Sequence, residues 1–232
     1  MKKIALLFLV VLFAATYTVS AQKTFSGIIE YEMKLEGTDD PNLLGNMENM
    51  TFPVTISGNK SKSVITPNQM VAVTQIWNGD KGTRITILEI TGMGKYYKKW
   101  DAEQHKEKLK LSEFSFKYEN EFKDILGFKC QRVIVTTTNL EDDSQTEIVM
   151  YVTKEIGSAK LNGDTPGLEG YPLEQFTPMD QLCDGCSVVS RAIKITPKKK
   201  ITDVEFLLPA DAKNIDDDPD MKEMLKGAFG DE

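Results

Sequence analysis

The amino-acid sequence predicts a mainly β protein of the α+β type, with one large antiparallel sheet and a few short helices. Three observations carry that prediction. Runs of alternating apolar and polar residues recur from about residue 26 to residue 208, and a period of two marks a strand with one dry face. Turn-forming pairs, Gly58-Asn59, Asn78-Gly79 and Leu126-Gly127 among them, separate the runs at hairpin spacing. Helical composition is confined to short pieces. Strands in this number make a sheet large enough to curl.

Residues 1–21 stand apart from the pattern. Lys2 and Lys3 precede the apolar run Ile4–Ala15, and Val19-Ser20-Ala21 follows. These are the parts of a cleaved signal peptide. The apolar run is shorter than the roughly 20 residues a membrane span needs. Gln22 rather than Cys follows the cleavage point, so a periplasmic or secreted protein is expected, not a lipoprotein and not a transmembrane one. Residues 22–232, without repeat, linker or low-complexity tract, read as one β-rich domain.

That domain opens on a strand in which Ile29, Tyr31, Met33 and Leu35 alternate with Glu30, Glu32, Lys34 and Glu36. Gly37–Pro41 interrupts it, and Asn42–Asn49 reads as a weak helical turn or loop. Thr51–Ser57 and Lys60–Thr66 flank Gly58-Asn59 as a hairpin. Met70–Trp77 and Thr83–Ile90 flank Asn78-Gly79-Asp80, and Lys95–Trp100 follows Gly92 and Gly94. Asp101–Leu111, charged nearly all round, is a short exposed helix or a loop. Phe114, Phe116 and Tyr118 share one face of the next strand. Phe128–Thr138 and Glu147–Thr153 pair across Glu141-Asp142-Asp143, and Lys154–Pro166 is irregular. Pro172 inside Tyr171–Phe176 points to an edge or a bulge. Ser187–Thr196 and Ile201–Leu208 are expected to form the last hairpin, turning at Pro197 and Lys198-Lys199-Lys200. Pro219 after Asp216-Asp217-Asp218 predicts a short helix near residues 219–229.

The net charge is −7, and losing Lys2 and Lys3 makes it more negative. Binding to nucleic acid or to an anionic membrane depends on basic patches, so neither is expected. Three cysteines in an exported chain invite oxidation. The favoured reading is a disulfide between Cys183 and Cys186, leaving Cys130 a buried free thiol in the sheet. A bridge from Cys130 to either remains the alternative. A redox role for Cys183-Asp184-Gly185-Cys186 is disfavoured, because a strand rather than a helix follows and Asp184 raises a thiol pKa. Cys130, Cys183, Cys186 and His105 would satisfy a tetrahedral zinc count. That requires three reduced thiolates, and His105, the sole histidine, falls in a segment expected to be exposed. No metal and no cofactor is therefore expected. Asp216–Asp220 lacks the ligand spacing of a calcium loop.

Several motifs carry a resemblance. They are Phe25-Ser26-Gly27 before an alternating strand, Ile125-Leu126-Gly127-Phe128-Lys129-Cys130, and Val149-Met150-Tyr151-Val152-Thr153. Gly167-Leu168-Glu169-Gly170-Tyr171-Pro172-Leu173-Glu174 and Phe206-Leu207-Leu208-Pro209 complete the set. Together they resemble the exported envelope proteins of unknown function in the GLPGLI-like and DUF-type families. The resemblance implies an open half-barrel like that of lipoprotein carriers, curled around helices with an apolar hollow. It supplies no catalytic residues.

The expected role is thus a non-enzymatic binding module for an apolar or lipid-like ligand, or for the acyl chain of an envelope protein partner. Leu43, Leu44, Met47 and Met50 are expected on one side of the hollow, facing Phe114, Phe116 and Tyr118 from the sheet. The alternative is a structural or protein-interaction role with a filled core. An envelope hydrolase is the less favoured third reading, since nothing marks a nucleophile beside His105.

Overall fold

The structure is a computed structural model that describes residues 25–40 and 50–225. Residues 1–24, the stretch 41–49 with Leu43, Leu44 and Met47, and the residues beyond Leu225 lie outside the described residues. The first six strands are β1 (Ser26–Glu36), β2 (Met50–Ser57), β3 (Lys60–Asn68), β4 (Val71–Asn78), β5 (Thr83–Ile90) and β6 (Gly94–Trp100). Helix α1 (Ala102–Leu109) follows, then β7 (Ser112–Ile125), β8 (Phe128–Asn139), β9 (Gln145–Thr153), β10 (Tyr171–Pro178) and β11 (Ser187–Pro197). A two-residue β12 (Lys213–Asn214) and helix α2 (Pro219–Met224) close the described chain.

All twelve strands belong to one sheet, in the order β12-β6-β5-β4-β3-β2-β1-β11-β10-β9-β8-β7. Two up-and-down meanders, β1–β6 and β7–β11, are thus joined where β1 pairs antiparallel with β11. Among the described strands only β12 runs parallel to its neighbour, β6. The turns follow local chemistry. Gly58 at φ 61 opens the β2–β3 hairpin, the place where a two-residue loop takes glycine.

One short connection sets the overall shape. Ten strand intervals separate β6 from β7 in the sheet order, roughly 48 Å if the sheet were flat. Residues 101–111 must cross that gap, and eight of them are the helix α1. Helix and flanking residues together reach at most about 26 Å. The sheet therefore curls, and α1 bridges its two sides, touching β5 and β6 on one and β7 on the other. Asp101 caps the helix through a capping box with Gln104.

Ladder partners share a face, so the register identifies the inner surface. From β1, Met33 aligns with Ser190, Gln175, Met150, Val133 and Tyr118 across β11, β10, β9, β8 and β7. In the other direction Ile29 aligns with Val54, Ser63, Gln75 and Thr86 across β2–β5. Three apolar clusters cover this surface. Ile29, Phe52, Val54 and Ile56 pack with Ile156 and Leu161. Val133, Val135, Met150 and Val152 pack with Leu168. Leu88 and Tyr96 pack with Ile215, Met221 and Leu225. Ile156, Leu161 and Leu168 all belong to the β9–β10 connection, residues 154–170, which therefore runs inside the curl.

One expectation needs correction. Ile201–Leu208 is not a strand but a covering segment with a 3₁₀ turn at Asp203–Phe206. Both edges of β11 are already taken, by β1 and β10, so no ladder is left for a further strand. The segment instead lays Ile201, Phe206 and Leu208 on Ile76, Ile85, Ile87 and Tyr97 from outside. The bulge expected at Pro172 is present: Leu173 is the extra residue between Val152 and Tyr151, in a strand that is internal rather than an edge. Glu174 beside it is fully buried and accepts from Arg191 and from Lys123, the latter at 2.5 Å. Charge-assisted bonds of this kind compensate the desolvation of a carboxylate.

Leu126, an exposed residue at φ 54, occupies the left-handed region that bulky side chains avoid. Leu126→Asn should stabilise the β7–β8 turn by about 1 kcal/mol. Thermal unfolding checks this, and a lower Tm would mean that Leu126 makes contacts outweighing its backbone cost.

Candidate functional site

The inner face changes character between β2 and β4. Tyr31 stacks on Phe52 at 5.4 Å, and Ile29, Val54 and Ile56 continue the apolar row. One strand further, the aligned positions are Ser61 and Ser63, then Trp77 and Gln75. A hollow of about 400 Å³ lies here, walled by Tyr31, Phe52, Val54, Ile65 and Tyr171. Ser61, Ser63, Gln75, Gln175 and Ser190 give it hydroxyl and amide groups. A recess of about 90 Å³ adjoins it along Ser61, Ser63 and Gln75 and ends at Trp77, Arg84 and Asp164.

The β9–β10 connection closes this recess and is pinned from several sides. Trp77 Nε1 donates to the Lys160 carbonyl at 2.6 Å, and Ser158 Oγ donates to Asn59 Oδ1 at 2.7 Å. Arg84 pairs with Asp164. Asn162 is buried, and its Nδ2 donates to the Leu168 and Gly170 carbonyls at 2.9 and 2.7 Å. Interior backbone polar groups need such partners. Two glycines permit the approach. A Cβ at Gly79 would sit 2.1 Å from the Lys160 carbonyl oxygen, and one at Gly163 would sit 2.6 Å from the Trp77 ring.

His105 belongs to this pinning and corrects the expectation of exposure. It is only 7% exposed, packs on Trp77 at 4.8 Å, and its Nε2 lies 2.9 Å from the Gly163 carbonyl oxygen. A carbonyl can only accept, so Nε2 carries the hydrogen. The charged composition of α1 concealed this, because His105 is its one buried residue.

Cys183 and Cys186 form a disulfide and Cys130 is a buried free thiol, which takes both bonded sulfurs out of any ligand set with His105. Burial pushes the Cys130 thiol up to about 11, with Asp124, Glu155 and Glu174 adding to it. Burial also raises the Tyr171 phenol to about 12. It holds Tyr31 well above the ordinary tyrosine range, with Tyr171 beside it reinforcing the effect. Tyr31 donates to the Pro172 carbonyl at 2.7 Å.

The residues expected to line a hollow are distributed differently. Phe116 and Tyr118 do share the inner face, but the end of the β9–β10 connection covers them. Gly167 lies against the Phe116 ring, Leu168 fills the neighbouring cluster, and Tyr118 OH accepts from the Glu169 N–H at 2.7 Å. Phe114 sits further along β7, opposite Thr137. Met50 opens β2 opposite Met33, outside the lining. The polar positions Ser61, Ser63 and Gln75 were missed, because Lys60–Ser63 alternates lysine with serine and offers no hydrophobic signal for which face turns inward.

Fold and hollow together define a class, a single curled antiparallel sheet, open at its edges, with a loop packed inside. No family model matches the chain, and no curated protein matches it. Among solved structures, PNGF-II in a P21 crystal form is similar at TM-score 0.54 and 15% identity over 85% of this chain. PNGF-II in a C2 form is similar at TM-score 0.55 and 14% identity over 88%. The chain spans 33% of the length of either PNGF-II chain, and likeness at this identity is one of fold. No helix among the described residues is long and apolar enough to cross a membrane.

Two outcomes follow from the packing. Gly163→Ala should push the connection off Trp77 and destabilise the protein by about 1–3 kcal/mol, measured by denaturant unfolding; no change would mean that the ring yields freely. The raised pKa values mean the folded state keeps protons that the unfolded chain has lost. Their contribution to stability is therefore complete below pH 9.0 and is lost as the pH climbs to about 12. A flat unfolding free energy between pH 9 and 12 would contradict these assignments.

Proposed function

We propose that the chain is an exported, non-enzymatic binding module that holds a small ligand in the inner hollow. The hollow itself carries the reading. At about 400 Å³ it falls in the size range of small-molecule sites, and it combines apolar walls with a few convergent polar groups. An alkyl chain would leave Ser61, Ser63 and Gln75 desolvated and unpaired, which is costly. The lining therefore suits a ligand with a flat apolar face and several hydrogen-bonding groups better than a bare acyl chain. The leader in residues 1–21 and the Cys183–Cys186 disulfide both fit export to an oxidising compartment. The commitment of His105 to the Gly163 carbonyl and the raised Cys130 thiol argue against either as part of a nucleophilic pair.

Native mass spectrometry of the protein recovered after export tests the proposal. The wild type should carry a bound small molecule, and Ser63→Trp, which fills the hollow, should release it with the fold intact by circular dichroism. A wild type without bound mass, and without a Tm shift across a panel of polar aromatic and sugar-like compounds, would leave the structural role as the better reading.

A further inference from the structure

The alternation that sends Ser61, Ser63, Gln75 and Trp77 inward sends their neighbours on the same strands outward. On the outer face Ile76 aligns with Ile85, and Ile85 with Lys99. Lys60 aligns with Asn78, and Asn78 with Thr83. The segment 201–209 lies over this patch without closing it, and a hollow of about 370 Å³ remains between them. Its base is apolar, formed by Ile76, Ile85, Phe206 and Leu208. Its mouth carries Lys60, Lys81 and Lys99 against a single carboxylate, Asp203. Asp203 is taken by Lys60 at 2.7 Å. Among the described residues Lys81 and Lys99 make no ion pair. Leu207, on the lip, is 61% exposed, and Val204 nearby is 70% exposed.

From this arrangement we infer a second binding site, separate from the inner hollow, for a small amphiphilic carboxylate with an aliphatic body. Three features converge on that chemistry. An apolar base gains from covering an alkyl body. Lys81 and Lys99, which form no ion pair among the described residues, supply the counter-charge for an anionic head, and Asn78 and Thr83 stand beside them with hydrogen-bonding groups. The protein as a whole carries a net charge of −7, and against that background three lysines and one carboxylate make this mouth a local site of positive potential that attracts an anion. Leu207 gives the incoming chain an apolar lip. Nothing in this site draws on the inner hollow, and its occupancy is independent of the function proposed above.

Octanoate is a suitable probe, titrated into the exported protein with methyl-labelled isoleucine and leucine and followed by NMR. Saturable shifts are expected at Ile76, Ile85, Leu207 and Leu208. Octanol, of the same length without the charge, should bind about tenfold more weakly. Lys81→Gln with Lys99→Gln should weaken octanoate about fivefold to tenfold without affecting octanol, and higher salt should weaken it further. Leu207→Ser, at an exposed position that leaves the fold intact, should weaken both probes. Equal affinity for the two probes, an unchanged octanoate affinity in the double lysine variant, or absence of saturation would each overturn the inference. Shifts confined to Ile65, which lines the inner hollow, would place the octanoate there and overturn it equally.

Discussion

The eleven residues that join β6 to β7 constrain everything else in the molecule. A sheet of two antiparallel meanders could in principle lie nearly flat, with its outermost long strands far apart. A connection that spends eight residues on the helix α1 does not reach across such a sheet. Curling is forced by chain length, and α1 then stands as a clamp between the two sides. His105 is the point where that clamp meets the interior, since it links the helix to Trp77 on β4 and to Gly163 in the inner connection.

A curled sheet has a concave face that must be filled, and this protein fills it with main chain rather than with side chains alone. Residues 154–170 bring backbone carbonyls and amides into the middle of the molecule, and each needs a partner there. Asn162, Trp77 and His105 donate to carbonyls of this connection, and Ser158 Oγ accepts from its Lys160 N–H. Beside the connection the inner lining is mixed, with Ser61, Ser63 and Gln75 facing the hollow. The hollow is what remains where the connection ends and the Tyr31–Phe52 stack begins.

Strands with a clean period of two were legible in the sequence, and so were the hairpins at Gly58-Asn59 and Leu126-Gly127. Legibility failed where alternation had another cause. Val204, Phe206 and Leu208 alternate like one face of a strand, yet Ile201, Phe206 and Leu208 cover the outside of β4 and β5 while Val204 stays exposed. The two-residue β12 is too short to leave any periodic signal. The candidate site was the least readable part. Ser61 and Ser63 alternate with lysines, so neither face of β3 looks dry, and the crossing connection has no period at all. Phe114, Phe116 and Tyr118 did reveal a shared face, but not that Leu168 would cover its centre. The disulfide and the buried Cys130 thiol could be read because spacing and strand context are local properties.

The two edges of the sheet are finished in different ways. On one side β12 lays two residues parallel to β6, enough to occupy part of that ladder and no more. On the other, β7 is a fourteen-residue strand with no outer neighbour among the described residues, and its pairing with β8 breaks between Tyr118 and Phe122. Lys117, Glu119, Glu121 and Lys123 are crowded around that break. A strand from another molecule that tried to zip along β7 would lose register at the irregularity and meet charge on both sides of it. The described strands therefore keep a long open edge without offering a continuous template for fibrous growth.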